Sequence, residues 1–268
     1  MTLSVFDKQK SRRSFDRAAI RYDEHARLQR QVATTLIEYL GKHAENIKPQ
    51  SILDLGCGTG QITEAVCQHY LEANVISLDF SHNMLIQTES RLSSNGLNAS
   101  AICADAEQLP FQDGAFDLIV SSLMLQWSNN LGGTLAKIND SLAEQGVLAF
   151  SSLSNGTLKE VKASWQAVDR GVHSSDFLML ERFEFIAKKS GFSKVIVIPE
   201  TVVMHYSTIR EMLLEMKGIG ASNARSERNK GLTGRQRFDA FERAFEMHKL
   251  PDDTYPCTWE VTYVFCFK

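Results

Sequence analysis

The stretch SILDLGCGTGQ, Ser51 to Gln61, places three glycines at alternating positions directly after a short apolar run. The apolar run is typical of a buried strand, and the following segment, ITEAVCQHYL, has the spacing of a helix. Glycines between a strand and a helix let a ligand approach the backbone, where amide groups and the helix dipole favour negative charge. The chain is therefore restricted to folds that contain a strand, a glycine loop and a helix in succession.

The alternation of strand and helix continues along the chain. The segment NVISLDF predicts a second strand that ends at Asp79, and later segments include a predicted helix over 132–144 and predicted strands over 146–153, 194–206 and 258–267. Alternation of this kind predicts an α/β fold with a doubly wound, mostly parallel sheet covered by helices on both faces.

Two helical additions interrupt this pattern in a chain of 268 residues, a length that suits one large domain. Residues 14–40 carry apolar residues at helical spacing, which predicts an N-terminal helical cap over residues 1–45. Residues 207–250 predict a helical insertion before the last strand. Both are candidates for a lid over the strand ends, and the insertion is also a candidate for partner docking.

The spacing of the glycines distinguishes between the kinds of nucleotide that the loop could bind. Gly56, Gly58 and Gly60 are followed by Gln61, which stands where the dinucleotide fingerprint has its third glycine, and no Lys-Ser or Lys-Thr pair closes a P-loop. Asp79 ends the second strand, where an acidic side chain can accept both hydroxyls of a ribose. A nucleoside without pyrophosphate fits best, and a tight turn with Asp79 as a helix cap is the alternative.

Composition and charge exclude several classes of partner. The net charge of −3, from 29 basic and 32 acidic residues, does not favour nucleic acid or a membrane surface. The five cysteines are scattered and, with the histidines, never fall at metal-ligand spacing, which predicts a reducing compartment and no metal. The first residues lack a signal-peptide core and no window has the length of a membrane span, so we expect a cytoplasmic protein.

Three features together resemble the class I S-adenosylmethionine-dependent methyltransferases, a Rossmann-like family, over the N-terminal two-thirds of the chain. They are LDLGCGTG, Asp79 after the second strand, and CADAEQLPFQDGAFDLIVSS. The residues that the resemblance assigns to the cofactor S-adenosylmethionine are Asp54, Gly56, Gly58, Gly60, Asp79, Asp105 and Ala106.

The resemblance implies a role for each of these residues. The three glycines would admit the methionine moiety, and Asp54 would order their loop and favour the ammonium group. Asp79 would bind the ribose. Asp105 and Ala106 would receive the adenine through a carboxylate and a backbone amide, and the alternative for Asp105 is an N-cap of the stretch AEQL.

The ends of the chain carry a finer resemblance. The segments FDRAAIRYDEHARLQRQVA, SSLMLQW, MKGIGA, GLTGRQ and TYPCTWEVTYVF, in this order, are similar to the malonyl-acyl-carrier-protein O-methyltransferases of early biotin synthesis. Residues 222–230 match that family only loosely, and HSSDFLML lacks the prolines often found there. The resemblance implies methyl transfer to the free carboxylate of malonyl-acyl-carrier protein or malonyl-coenzyme A.

A carboxylate acceptor with a pKa near about 4 is ionised at neutral pH, so this reaction requires no general base. The sequence offers alignment residues instead. Tyr22 is predicted to donate from its phenol to the acceptor, although a core tyrosine is the alternative. Gln126 and Trp127 follow the fourth strand and are predicted to face the substrate, and Trp127 can equally be a packing residue.

The partner prediction rests on local charge. Within residues 217–237 six basic residues accompany a single acid, and residues 8–21 have the same imbalance. An acidic acyl-carrier protein would be steered by such a surface, whereas a solvated helical face is the alternative. The residues predicted to contact it are Arg225, Arg228, Lys230, Arg235 and Arg237.

Two other functions remain open on the sequence, and the oligomeric state is undetermined. A class I methyltransferase could act on another small molecule, such as a quinone precursor, which would usually need a base. A non-catalytic module could bind a nucleoside or a partner with the fold retained.

Overall fold

The computed structural model describes residues 6–169, 171, 177–219 and 234–268. The helices are α1 Lys8–Ala18, α2 Tyr22–His25, α3 Arg27–His43, α4 Gln61–His69, α5 His82–Ser94, α6 Leu131–Ser141, α7 Lys159–Val168, α8 Leu180–Lys189, α9 Ile209–Gly218 and α10 Arg235–Phe245. The strands are β1 Ser51–Leu55, β2 Asn74–Asp79, β3 Ser100–Cys103, β4 Phe116–Ser122, β5 Leu142–Leu153, β6 Lys194–Tyr206 and β7 Tyr255–Phe267. Short 3-10 turns cover Ala19–Arg21, Leu125–Trp127 and Glu246–His248.

Seven strands form one sheet in the order β3-β2-β1-β4-β5-β7-β6. The first five strands of this order are parallel, and β7 lies antiparallel to both β5 and β6. Strand order reverses between β1 and β4, and ligands of open α/β sheets bind at the carboxyl side of such a switch point. The predicted mostly parallel sheet with helices on both faces is confirmed.

Alternating side chains of the central strands supply two hydrophobic clusters. Ile52 and Val147 belong to one cluster, whereas their chain neighbours Leu53 and Leu148 belong to the other. Successive strand residues point to opposite faces, so the two clusters lie on opposite faces of the sheet. The sheet is thereby buried on both sides, which is the environment that parallel strands require.

The boundary between α6 and β5 differs from the sequence prediction. The predicted helix over 132–144 ends at Ser141, and Leu142 already pairs with Phe116 in the sheet. Leu142 is completely buried, and the register shifts between Phe116 and Leu118. Burial of Leu142 in the sheet therefore overrides the helix preference of the Leu-Ala-Glu sequence.

The two helical additions meet beside the carboxyl end of the sheet. Arg27 at the start of α3 forms a 2.9 Å ion pair with Glu215 of α9, and its guanidinium lies 4.9 Å from the centre of the Tyr206 ring. Gly218 of α9 approaches His25 so closely that a Cβ there would lie 2.2 Å from the imidazole. Across the described ranges, no helix is long and apolar enough to cross a membrane.

Candidate active site

A cavity of about 220 Å³ lies at the carboxyl ends of the strands, between the sheet and the helical additions. Its glycine-loop end is lined by Phe6, Lys8, Phe15, Gly56, Gly58, Asp79, Phe80, Asp105 and Ala106. Its apolar end is lined by Leu28, Leu153, Leu158, Val161, Phe177, Met216, Ile219 and Trp259. Strand order explains much of the division, because Gly56, Asp79 and Asp105 lie at or just after the ends of β1, β2 and β3. Leu153 and Trp259 belong to β5 and β7 on the other side of the sheet.

The three glycines of the loop differ in what surrounds them, although all have positive φ angles. A Cβ at Gly56 would lie 2.3 Å from the Met124 side chain, and one at Gly60 would lie 2.8 Å from Thr88. A Cβ at Gly58 would meet nothing within 4 Å. Gly58 therefore leaves open space beside the backbone for a ligand, whereas Gly56 and Gly60 are also required by packing. Gly60 does not border the cavity.

Asp54 lies beneath this loop at the end of β1 and is almost completely buried. One carboxylate oxygen accepts a 2.6 Å hydrogen bond from the Thr63 hydroxyl, and the other has no partner within the described residues. Burial raises the pKa of Asp54 to about 7. An ammonium group placed near the unpartnered oxygen would stabilise the ionised form.

Asp79 ends β2 and borders the cavity. Its carboxylate accepts hydrogen bonds from the backbone N–H groups of Gly58 at 3.0 Å and Ser81 at 2.8 Å. Burial raises its pKa to about 6, and these backbone bonds oppose that shift. Each carboxylate oxygen still has a lone pair available for a further donor. The N-cap of α5 is Ser81, so Asp79 does not cap that helix.

Asp105 is held in place from two sides. Its carboxylate accepts from the Glu107 backbone N–H at 2.9 Å and from the Lys8 ammonium at 2.6 Å. Lys8 also contacts the Glu107 carboxylate at 2.7 Å, and the two carboxylates raise the pKa of Lys8 against the opposing effect of burial. Ala106 borders the cavity beside them. Lys8 was not predicted to belong to the site, because the basic run that contains it resembles a solvated helical face.

Polar contacts from the N-terminal helices reach all three loops that follow β1, β2 and β3. Asp16 accepts a 2.6 Å hydrogen bond from Ser81, and Asp23 accepts a 2.7 Å bond from Thr59 of the glycine loop. Lys8 contacts the loop after β3, as described above. Helix α1 therefore forms one wall of the cavity at its glycine-loop end.

Tyr22 borders the cavity and is the first residue of α2. Burial, with the neighbouring carboxylates of Asp79 and Asp23, raises the pKa of its phenol well above the usual value, so the hydroxyl stays protonated at neutral pH. A protonated phenol can donate to an anionic ligand.

Gln126 and Trp127 also border the cavity, in the turn after β4. The Gln126 side-chain oxygen accepts a weak 3.4 Å bond from Ser152. The Trp127 ring packs against Phe6 at 5.1 Å and Phe15 at 5.5 Å between ring centres. Trp127 thus contacts the N-terminal segment, and Gln126 retains an amide that can face a ligand.

Three buried polar groups that border the cavity were missed by sequence reasoning. They are the Ser11 hydroxyl, the Gln29 side-chain oxygen and the Trp259 indole N–H, and none of them has a partner among the described residues. Ser11 and Trp259 are 4% and 6% exposed. A polar residue at a periodic apolar position is the only local signal of such a group.

The predicted partner surface is only partly described. Arg235 and Arg237 lie in the first turn of α10, and the Arg237 guanidinium is paired with Asp169. Arg225, Arg228 and Lys230 lie outside the described residues. In the N-terminal basic run, Lys8 is engaged at the cavity, Lys10 pairs with Asp7 and Arg21 pairs with Glu24.

Comparison with known proteins identifies a methyltransferase domain and several relatives. Residues 52–146 match the family model of a methyltransferase domain. The chain is 35% identical over 266 residues to the malonyl-[acyl-carrier protein] O-methyltransferase of Laribacter hongkongensis, an alignment that covers 96% of this chain and 88% of that protein. It is 34% identical over 269 residues to the biotin biosynthesis bifunctional protein BioHC of Teredinibacter turnerae, covering 97% of this chain and 47% of that protein.

The chain thus spans about half the length of that bifunctional relative. Among solved structures, the YcgJ protein of Bacillus subtilis superposes with a TM-score of 0.63 at 14% identity, covering 88% of this chain and 98% of that one. This likeness shows a shared fold.

Proposed function

The chain belongs to the malonyl-[acyl-carrier protein] O-methyltransferase family, and we propose that it transfers a methyl group from S-adenosylmethionine to the free carboxylate of malonyl-acyl-carrier protein. The product would be the malonyl methyl ester that primes pimeloyl and biotin synthesis. The proposal is carried by the similarity to the family over almost the whole chain, which includes both helical additions beside the cavity.

The glycine-loop end of the cavity fits S-adenosylmethionine. Gly58 leaves open space beside a backbone with positive φ, and Asp79 stands at the end of β2 with lone pairs for two ribose hydroxyls. The unpartnered oxygen of Asp54 suits an ammonium group. When bound, the cofactor supplies an electrophilic methyl on a positively charged sulfur and leaves as neutral S-adenosylhomocysteine.

The residues of the chain contribute to the reaction by aligning the acceptor carboxylate with the methyl group. The attacking carboxylate is already ionised, so no group has to remove a proton from it. Tyr22 would donate its phenolic hydrogen to one carboxylate oxygen, and the Gln126 amide would hold the acyl group, leaving the other oxygen in line with the methyl–sulfur bond. Holding reactants in line can contribute several kcal/mol to the rate.

Water must be kept from the methyl group while the acceptor enters. The wall formed by α1, with Phe15 and Trp127 packed edge to face, supports a role for the segment 1–45 as a cap over the cofactor. The insertion 207–250 supplies Met216 and Ile219 to the apolar end. We therefore assign the two additions a lid function.

Methyl transfer is tested with methyl-labelled S-adenosylmethionine and malonyl-acyl-carrier protein, followed by mass analysis of the pantetheine arm. We expect one added methyl, removable by mild base as an ester is. Acetyl-acyl-carrier protein, which lacks the free carboxylate, is the matched control and should stay unmodified. Transfer to both acceptors, or to neither, would contradict the proposed function.

Carrier-protein docking is tested by reversing Arg225, Arg228 and Lys230 together to glutamate. Complementary charge raises association rates and weakens with salt, so we expect a higher KM for malonyl-acyl-carrier protein and a flatter salt dependence. Malonyl-coenzyme A should be affected much less. Reversal of the exposed Lys188, Lys189 and Lys194 is the control for net charge, and an equal effect of both triple variants would exclude specific docking.

A further inference from the structure

The N-terminus of α3 is buried and lacks a cap. This helix of 17 residues begins at Arg27, and the preceding Ala26 is fully buried and provides no side-chain hydrogen bond. Leu28 and Gln29 in its first turn border the cavity. A buried helix end without capping partners is unusual, because its first N–H groups have no acceptor within the helix.

The neighbouring helix does not satisfy these groups. Helix α2 ends at His25, and Ala26 interrupts the helical hydrogen bonding between α2 and α3. The first backbone bond of the new helix runs from Arg30 to the Ala26 carbonyl at 3.0 Å. Leu28 and Gln29 border the cavity, so the positive end of the α3 dipole lies beside it.

A second donor without an acceptor borders the same cavity. The Trp259 side chain is 6% exposed, and its indole N–H has no hydrogen-bond partner in the described ranges of the chain. Trp259 lies on β7, far from α3 in sequence, so this observation is independent of the helix end. A buried donor without an acceptor is unfavourable, and a ligand oxygen that accepts from it would remove this cost.

Gln29 adds an adaptable group. Its side-chain oxygen is buried without a partner. Rotation of the amide would exchange this oxygen for the NH₂ group and present two more donors. The complement of such a set of donors is a ligand oxygen that carries negative charge.

We propose that the first turn of α3 and the Trp259 indole N–H form a carboxylate-binding site in this cavity. The carboxylate could come from the amino-acid part of the cofactor or from the acyl acceptor, and the second source rests on the proposed function. In both cases the site fixes the distance between the cofactor's methionine end and the acceptor.

The site is tested by Gln29→Glu. A glutamate at this third helical position favours the helix, so the fold should be retained, but its charge would occupy the donors and repel a ligand carboxylate. Gln31→Glu makes the same change two residues further along, on the exposed side of α3, and is the matched control. Calorimetry measures the binding of S-adenosylmethionine and, with S-adenosylhomocysteine present, of malonyl-coenzyme A.

We expect Gln29→Glu to weaken one of these ligands about ten-fold or more, the loss typical of a hydrogen bond to a charged group. A ligand that lacks the carboxylate should be unaffected: decarboxylated S-adenosylmethionine identifies the cofactor as the source, and acetyl-coenzyme A identifies the acyl group. These are binding measurements, so they decide the matter even if methyl transfer fails. Equal binding in Gln29→Glu and Gln31→Glu, or equal weakening of ligands with and without the carboxylate, would overturn the site.

Trp259→Phe removes the second donor and keeps an aromatic ring. It should weaken the same carboxylate-bearing ligand, whereas Trp165→Phe, at a tryptophan stacked on Phe241, should not. Incorporation of benzothienylalanine at position 259 keeps the indole shape without its N–H and separates hydrogen bonding from packing. Normal binding by both Trp259 variants would exclude Trp259 from the site.

Discussion

The two ends of the cavity differ in how their polar groups are satisfied. At the glycine-loop end, Asp79 and Asp105 are already hydrogen bonded by backbone N–H groups, and Lys8 pairs with Asp105. At the apolar end, Trp259 and the first turn of α3 carry donors without acceptors. The carboxylates of Asp79 and Asp105 are thus positioned by the protein itself, whereas the Trp259 indole N–H has no acceptor among the described residues.

This difference determines which ligand groups each end of the cavity can bind. Carboxylates fixed by the backbone present acceptors at defined positions, which suits the hydroxyls and amines of a nucleoside. Unpaired donors in apolar surroundings favour an anion and penalise a neutral, apolar occupant. Substitutions at the glycine-loop end should therefore alter the binding of the nucleoside part of the cofactor.

The largest expected effect concerns Asp54 beneath the glycine loop. Its pKa is raised to about 7 in the fold, so the stability it contributes in its neutral form is present below the unfolded pKa and is lost as pH rises through about 7. Between pH 5 and pH 8 the free energy of unfolding should fall by about 2 to 3 kcal/mol more in the wild type than in Asp54→Asn. Urea denaturation at the two pH values measures this, and parallel profiles would contradict it.

A smaller effect is expected for Asp79→Ala. Loss of two acceptors for the ribose should weaken S-adenosylmethionine binding by about 1 to 3 kcal/mol. Calorimetry should show unchanged binding of malonyl-coenzyme A, since Asp79 is proposed to contact only the cofactor. Asp79→Asn keeps one acceptor oxygen and should give an intermediate constant. An unchanged cofactor constant in Asp79→Ala would mean that this carboxylate serves only Gly58 and Ser81.

Tyr22→Phe tests the hydrogen bond that Tyr22 is proposed to donate to the acceptor carboxylate. Removal of the phenolic donor should lower kcat about ten-fold, because the acceptor carboxylate loses a hydrogen bond, while cofactor binding changes little. Steady-state kinetics and calorimetry on the same variant separate the two quantities. Tyr39→Phe, a tyrosine that packs on Tyr263 away from the cavity, is the control. Normal turnover in Tyr22→Phe would rule out this role.

The smallest effect is expected for Lys8→Met. The Lys8, Asp105 and Glu107 side chains are partly exposed, and such pairs contribute about 0 to 1 kcal/mol. Cofactor affinity should therefore fall less than about five-fold, with the loss decreasing at high salt. Lys10→Met, which removes only the pair with Asp7, should have no effect on binding. A loss above ten-fold would mean that Lys8 contacts the cofactor itself.

Local patterns in the sequence accounted for most of the sheet and for the residues at its carboxyl ends. The strand, glycine loop and helix around Gly58 were predicted correctly, because the periodicity of apolar residues and the positions of glycines can be read from a short segment. Asp79 and Asp105 were placed at strand ends for the same reason, and the structure brings both to one cavity. The start of β5 was predicted wrongly, since pairing of Leu142 with Phe116 is a distant contact.

The order of strands and helices, the glycine loop and the resemblance to a methyltransferase family could all be predicted from the sequence. The contact of Lys8 with Asp105 and the position of Trp259 and the start of α3 beside one cavity became visible only in the folded chain. The physical reason is that a segment's periodicity depends on neighbouring residues, whereas the partner of a buried polar group is set by how distant elements pack. An unpaired donor leaves no pattern in the sequence, because pairing is a property of the assembled fold.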